Sequence, residues 1–257
     1  MITVPELRAR KLITDLGISD TAKIAIEDLI IYFDGHIRQI AMTNCDGRVV
    51  MKNGKSIVTL NANIEFAPKK RFVLSHELGH MLLHASKDAT FSDDYYTLEA
   101  YKHGIQEREA NDFAAALLMP ADAFKQACFR QKFGMGLIRM LAEKFNTSLA
   151  STVYRYIELG PHPICAFYSK DGIVQYWKRS ENFWHKVVDR NRLRVPSDSV
   201  AEEYYAKGRI YQGSDSDQPI YKSTWCELKE EENDKQMFEF CIVTRTYATV
   251  LSVIWEK

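Results

Sequence analysis

His76-Glu77-Leu78-Gly79-His80 carries the residue types and the spacing that could do chemistry. Two histidines four apart on a helix face the same way, one turn apart, and can share a zinc ion at about 2.0–2.1 Å from each ring nitrogen. Bound zinc lowers the pKa of water toward ~7, and a glutamate beside the first histidine can accept the proton released. The pattern therefore points to metal-assisted hydrolysis, with His76 and His80 as ligands and Glu77 as general base. Phe72, Val73, Leu78, Met81, Leu82 and Leu83 surround the motif with the apolar helical pattern that a surface loop would lack.

A catalytic zinc needs a third protein ligand and an open fourth position. A histidine six residues past His80 would suit one known arrangement, but that position is Ser86. His84 lies a further turn along the same helix, about 12 Å from His76 by the helical rise, and is expected to pack or hydrogen-bond instead. The helix predicted over 106–119 offers acids. Its apolar stripe is Ala110, Phe113, Ala114, Leu117 and Leu118. At about 100° per residue, Glu107 lies about 50° from the centre of that stripe and Glu109 about 110° away. Glu107 is therefore the expected third ligand, and Asn111, four residues on, can hydrogen-bond a ligand histidine from behind. Tyr95, Tyr96, Tyr101 and His103, between the two helices, are candidate donors to a developing oxyanion.

Positioning these groups requires a scaffold. Residues 5–34 read as helical with a break at Gly17, and 37–66 as short strands with Asp46-Gly47 and Asn53-Gly54 as hairpin turns, forming a small antiparallel meander. Helices follow over 71–85, 106–119, 121–133 and 136–159, with a loop over 86–105. Met140–Ser151 has the pattern of a helix-turn-helix, but its second helix carries only Arg155 as a base-reading cation, so direct DNA binding is not expected. Beyond Gly160 the pattern turns to strands at 164–169, 173–178, 220–228, 237–244 and 248–255. Asp171-Gly172 supplies a hairpin turn, and a serine-capped surface helix is expected from Ser180 to Arg190. Lys229–Asp234 reads as a solvated loop. The expected class is α+β. A helical metal-binding domain with a small antiparallel sheet spans 1–160, its helix-turn-helix-like segment spans 121–160, and a small α+β regulatory or sensor domain spans 161–257.

Composition narrows the setting. With 34 Lys+Arg against 34 Asp+Glu in 257 residues, the net charge is zero, which argues against wholesale binding to nucleic acid or an anionic membrane. The longest apolar run, Phe113 to Pro120, is far short of the roughly 20 residues of a membrane span. The first residues are too charged for a secretory signal. Five cysteines without a CxxC suit reduced thiols in a cytoplasm, and Cys165, Cys226 and Cys241 read as core residues of strands.

Arg71-Phe72-Val73-Leu74-Ser75-HELGH-Met81-Leu82-Leu83-His84, followed by Glu107-x-Glu109-Ala110-Asn111-x-Phe113-Ala114-x-x-Leu117-Leu118-Met119-Pro120, resembles the ImmA/IrrE metallopeptidases over about residues 1–160. The resemblance implies a gluzincin-like fold, one Zn2+ per chain (Mn2+ being an alternative) held by His76, His80 and Glu107, and Glu77 as general base. It implies a cytoplasmic zinc endopeptidase whose protein substrate is a helix-turn-helix repressor, cleaved to release phage, mobile-element or stress-response genes. It also implies that 161–257 is a GAF-like sensor domain. The competing expectation is a non-catalytic antirepressor, transcriptional regulator or toxin–antitoxin component with a structural metal site. Glu77 argues for the enzyme, because a structural site has no use for a carboxylate beside its ligands.

Overall fold

The computed structural model describes residues 2–43, 45–84 and 104–257, and of residues 89–94 the backbone alone. It is an α+β protein of two compact units. One comprises residues 1–123 and 143–148, the other 124–142 and 149–257.

In the first unit, α1 (Val4–Asp15) starts on Thr3, whose hydroxyl accepts from Glu6 N, with Pro5 in the first turn. Gly17 at φ 61° breaks the helix, and α2 (Ile26–Tyr32) follows. The sheet holds β1 (Gly35–Ile40), β2 (Cys45–Lys52), β3 (Lys55–Asn61) and β4 (Ala89–Asp94) in the order β1-β3-β2-β4. Asn53 and Gly54, at φ 52° and 74°, make the expected tight turn between β2 and β3.

Three expectations are corrected here. The sheet is mixed rather than an antiparallel meander, because β1 pairs with β3 in parallel. The chain crosses the end of β3 to reach β2, and the buried Asn61 side chain holds that crossing. Its amide nitrogen donates to Met42 O and Cys45 O, and its oxygen accepts from Met42 N and Asn63 N. Asp46-Gly47 is accordingly not a turn but part of β2, at a bulge. The segment expected as a loop over 86–105 contains β4, paired antiparallel with β2.

Against the sheet lies α3 (Ala67–Leu83), which begins four residues earlier than predicted, with Pro68 in its first turn. Then comes α4 (Ile105–Leu118). Val73, Leu74, Leu78 and Met81 of α3 form one core with Val49, Met51, Val58 and Leu60 of the sheet and Phe113 and Leu117 of α4. The helix expected over 121–133 ends at Cys128 as α5 (Ala121–Cys128), and 136–159 holds two helices, α6 (Met135–Phe145) and α7 (Leu149–Leu159), parted at Asn146 with φ 52°, as the helix-turn-helix pattern of Met140–Ser151 implies.

The second unit contains a wholly antiparallel sheet of β5 (Ile164–Lys170), β6 (Ile173–Arg179), β7 (Gln218–Tyr221), β8 (Gln236–Thr244) and β9 (Thr249–Trp255), in the order β6-β5-β9-β8-β7. Asp171 and Gly172, at φ 51° and 78°, turn β5 into β6. The helix expected from Ser180 is absent. Ser180 bonds through its hydroxyl to both Ile164 N and Ile164 O, and Phe183, His185 and Val187 are buried while Trp184 and Lys186 are exposed. That is the period-two burial of extended chain. The acidic stretch after Lys229 is also more than a solvated loop. Glu232 pairs with the buried Lys222 at 2.6 Å, and Asp234 accepts from Ser223 N and Oγ.

The helix that composition did not suggest, α8 (Val200–Lys207), carries its signal in Ser199-x-x-Glu202. Ser199 Oγ accepts from Glu202 N, and the fully buried Glu239 accepts from Val200 N and Ala201 N. Glu239 also accepts from the Trp225 indole at 3.1 Å, and Trp225 stacks on Phe167 with ring centroids 4.1 Å apart. Burial pushes the Glu239 carboxyl above its ordinary value, against the hydrogen bonds from Trp225 and Val200. Replacing Glu239 with Ala strands three buried donors. Each costs on the order of 1–3 kcal/mol, so unfolding in denaturant should show a loss of at least about 3 kcal/mol, whereas Glu239→Gln, which keeps an acceptor oxygen, should lose clearly less.

Candidate metal centre

The HExxH helix and the acidic helix meet where neither carries a bulky side chain. A Cβ on Gly79 would sit 3.1 Å from Ala110 Cα and 3.1 Å from the Phe113 ring, so glycine and alanine together set how near α3 and α4 approach. That approach brings Glu107, in the first turn of α4, onto His76 and His80, in the last turns of α3. Glu107 Oε2 lies 3.1 Å from His76 Nε2 and 3.4 Å from His80 Nε2, and the two ring nitrogens are 3.0 Å apart. One ligand atom from each residue falls within 4.8 Å of the others, a group that could hold a metal ion.

The electrostatics suit a cation. Burial, and then the neighbouring His76 ring, push His80 down to about 4 against the hydrogen bond to Glu107, so its ring is neutral at pH 7 and has a lone pair to give. Burial alone would raise the Glu107 carboxyl. The adjoining His76 and His80 rings outweigh it and hold the group well below the ordinary carboxylate range. Asn111 Oδ1 stands 2.9 Å from His76 Nδ1 and accepts its proton, which leaves Nε2 of that ring as the atom facing the cluster. Two imidazole nitrogens and a carboxylate oxygen are a donor set that fits zinc.

Glu109 sits outside this group. It pairs at 3.7 Å with His84, whose Nε2 also meets Gln106 O, so His84 bonds to the start of α4 rather than joining the cluster. Glu77 is 1% exposed and faces β2, where a Cβ on Gly47 would fall 2.5 Å from its Oε1. The contact with Gly47 was not visible in the sequence, where Asp46-Gly47 looks like a turn. Tyr95, Tyr96, Tyr101 and His103 lie outside the described residues.

Fold and cluster together define a metallopeptidase-like domain. Residues 33–156 match a peptidase family described as the IrrE N-terminal-like domain, which supports the ImmA/IrrE resemblance of this part of the chain. No curated protein matches the chain significantly by sequence. Among solved structures it is similar to a Mycobacterium tuberculosis transcriptional regulator, with a TM-score of 0.62 over 98% of this chain and 76% of that one. At 10% identity, that likeness is one of fold.

The separation of the two glutamates gives a direct test. Glu107→Ala should weaken zinc binding by more than the roughly tenfold to hundredfold that removal of an outer partner such as Asn111 costs. Glu109→Ala, which removes only a partly exposed charge near a helix start, should change the zinc dissociation constant by less than about fivefold.

Proposed function

We propose that the protein is a cytoplasmic zinc-dependent endopeptidase that cleaves a helix-turn-helix transcriptional repressor and so releases phage, mobile-element or stress-response genes. The observation that carries this reading is the three-donor cluster of His76, His80 and Glu107, with the buried Glu77 following the first donor on the same helix. His76, His80 and Glu107 hold the metal, zinc in preference to manganese because two of the three donors are imidazoles. A zinc ion held there would supply Lewis acidity to the scissile carbonyl and would lower the pKa of water. Glu77 accepts a proton from the attacking water and returns it to the leaving amine. Asn111 keeps His76 in the tautomer whose Nε2 faces the cluster.

Other features support parts of the reading. Among the described residues no helix is long and apolar enough to cross a membrane, and no disulfide joins any of the five cysteines, in keeping with a reducing compartment. In the helix-turn-helix-like pair, Arg155 is 5% exposed and bonded to Glu158 at 3.0 Å. The only cation of α7 is thus turned away from solvent, which favours a structural or substrate-docking role over DNA reading. Residues 161–257, with a sheet and core of their own, act as a regulatory or GAF-like sensor domain.

A second reading, a non-catalytic antirepressor, transcriptional regulator or toxin–antitoxin component, draws on the name of the mycobacterial structure whose fold the chain shares. Glu77→Gln separates the two. Incubated with a helix-turn-helix repressor that the unsubstituted protein cleaves, the zinc-loaded variant should retain its metal yet lose about 10²–10⁴-fold in cleavage rate. Relief of repression that survives Glu77→Gln, with no cleaved repressor, would establish the second reading.

A further inference from the structure

Lys69, Val73 and Glu77 form one stripe of α3 at i, i+4 and i+8, and the whole stripe meets β2 at a single irregularity. Cys45 pairs with Asp94 and Gly47 with Asp93, so Asp46 is an extra residue in β2. The Asp46 side chain is buried, and its carboxylate lies 2.9 Å from Lys69 Nζ. Upstream, the buried Asn61 side chain bonds Cys45 O and both backbone polar groups of Met42. The Cys45 thiol donates to Gly47 O. The bulge is therefore fixed from its strand and from α3 at once.

Gly47 is the residue this arrangement presses onto Glu77. It is not among the glycines at positive φ, so backbone freedom does not explain it. What matters is the missing side chain. A Cβ there would lie 2.5 Å from Glu77 Oε1, 2.5 Å from Val73 Cγ1 and 3.3 Å from Glu77 Cδ. Val73 is buried and β-branched and has little freedom to turn. The carboxylate, at the end of a flexible chain, is the group that would yield. We propose that Gly47, seated in the bulge that Asp46–Lys69 and Asn61 pin in place, is a positioning residue that sets where the Glu77 carboxylate sits. The inference rests on the reading of Glu77 as general base and adds to it the strand that aims that base. A misplacement of about 1 Å can cost on the order of a hundredfold in rate, so a backstop of this kind has a use.

The test uses the full chain loaded with zinc and acetohydroxamate as probe. A hydroxamate ligates zinc and gives its hydroxyl proton to a nearby base, so its affinity reports the base's position without the natural substrate. Gly47→Ala should leave the zinc dissociation constant within about twofold, because no ligand is touched, and weaken acetohydroxamate by about tenfold. Glu77→Gln should weaken it as much, and the double variant no more than Glu77→Gln alone, since both changes act through one group. A crystal structure of Gly47→Ala should show the Glu77 carboxylate displaced, with His76, His80 and Glu107 in place. Asp46→Asn, which loosens the bulge without adding bulk, should give a smaller loss of the same kind, and it serves if Gly47→Ala does not fold. Loss of hydroxamate affinity in Glu77→Gln but in neither strand variant overturns the positioning role and leaves the general base standing. Unchanged affinity in Glu77→Gln overturns the base itself. Full additivity in the double variant, or loss of zinc by Gly47→Ala, also overturns the proposal.

Discussion

The contact between Gly79 and Ala110 is the constraint on which the metal centre depends. His76 and His80 share a face of α3 by helical geometry alone, but two histidines leave a zinc ion under-coordinated. The third donor must come from another helix at a distance fixed to a fraction of an ångström. A helix pair packed through large side chains sits roughly 8–10 Å apart, whereas glycine against alanine permits closer approach. A Cβ at position 79 would meet the Ala110 backbone and the Phe113 ring at 3.1 Å, tighter than ordinary van der Waals contact, on the helix that carries Glu107. Leu78 and Phe113, both fully buried, then hold the pair in that register.

The site is thus built in two layers of different origin. Between the helices, three donors converge under conditions that favour a cation: a histidine neutral through burial and an acid held ionised by the two histidines. On a neighbouring face of α3, the sheet meets the motif helix where β2 approaches Val73 and Glu77. On the proposed reading, the ligand set and the base have different supports, so that a change in the strand need not disturb the donors.

The second unit solves a different problem, that of placing a helix start inside a core. Its first N–H groups need acceptors, and water is excluded there. Ser199 supplies one and Glu239, from the middle of β8, supplies two, while the same carboxylate satisfies the Trp225 indole. A charged side chain in the middle of an otherwise apolar strand is therefore a capping group delivered from a distance.

The sequence by itself determined what is local and periodic. HExxH on an apolar helix, the inward face of Glu107, Asn111 one turn behind it, and the turns at Asn53-Gly54 and Asp171-Gly172 all follow from spacing within a dozen residues. So do the α+β class and the strand-rich second half. Tertiary structure decided whatever depended on partners far away in the chain. Asp46-Gly47 has the residues of a turn, yet Asn61 and Lys69 draw it into a strand. Ser180 has the residues of a helix cap, yet Ile164 takes up its hydroxyl and the chain beyond it lies extended. The parallel pairing of β1 with β3 depends on a crossover that Asn61 holds from the end of another strand. The physical reason is common to these cases: a Gly, Asp or Ser has nearly equal local alternatives, and a single buried hydrogen bond or ion pair from elsewhere is enough to choose between them.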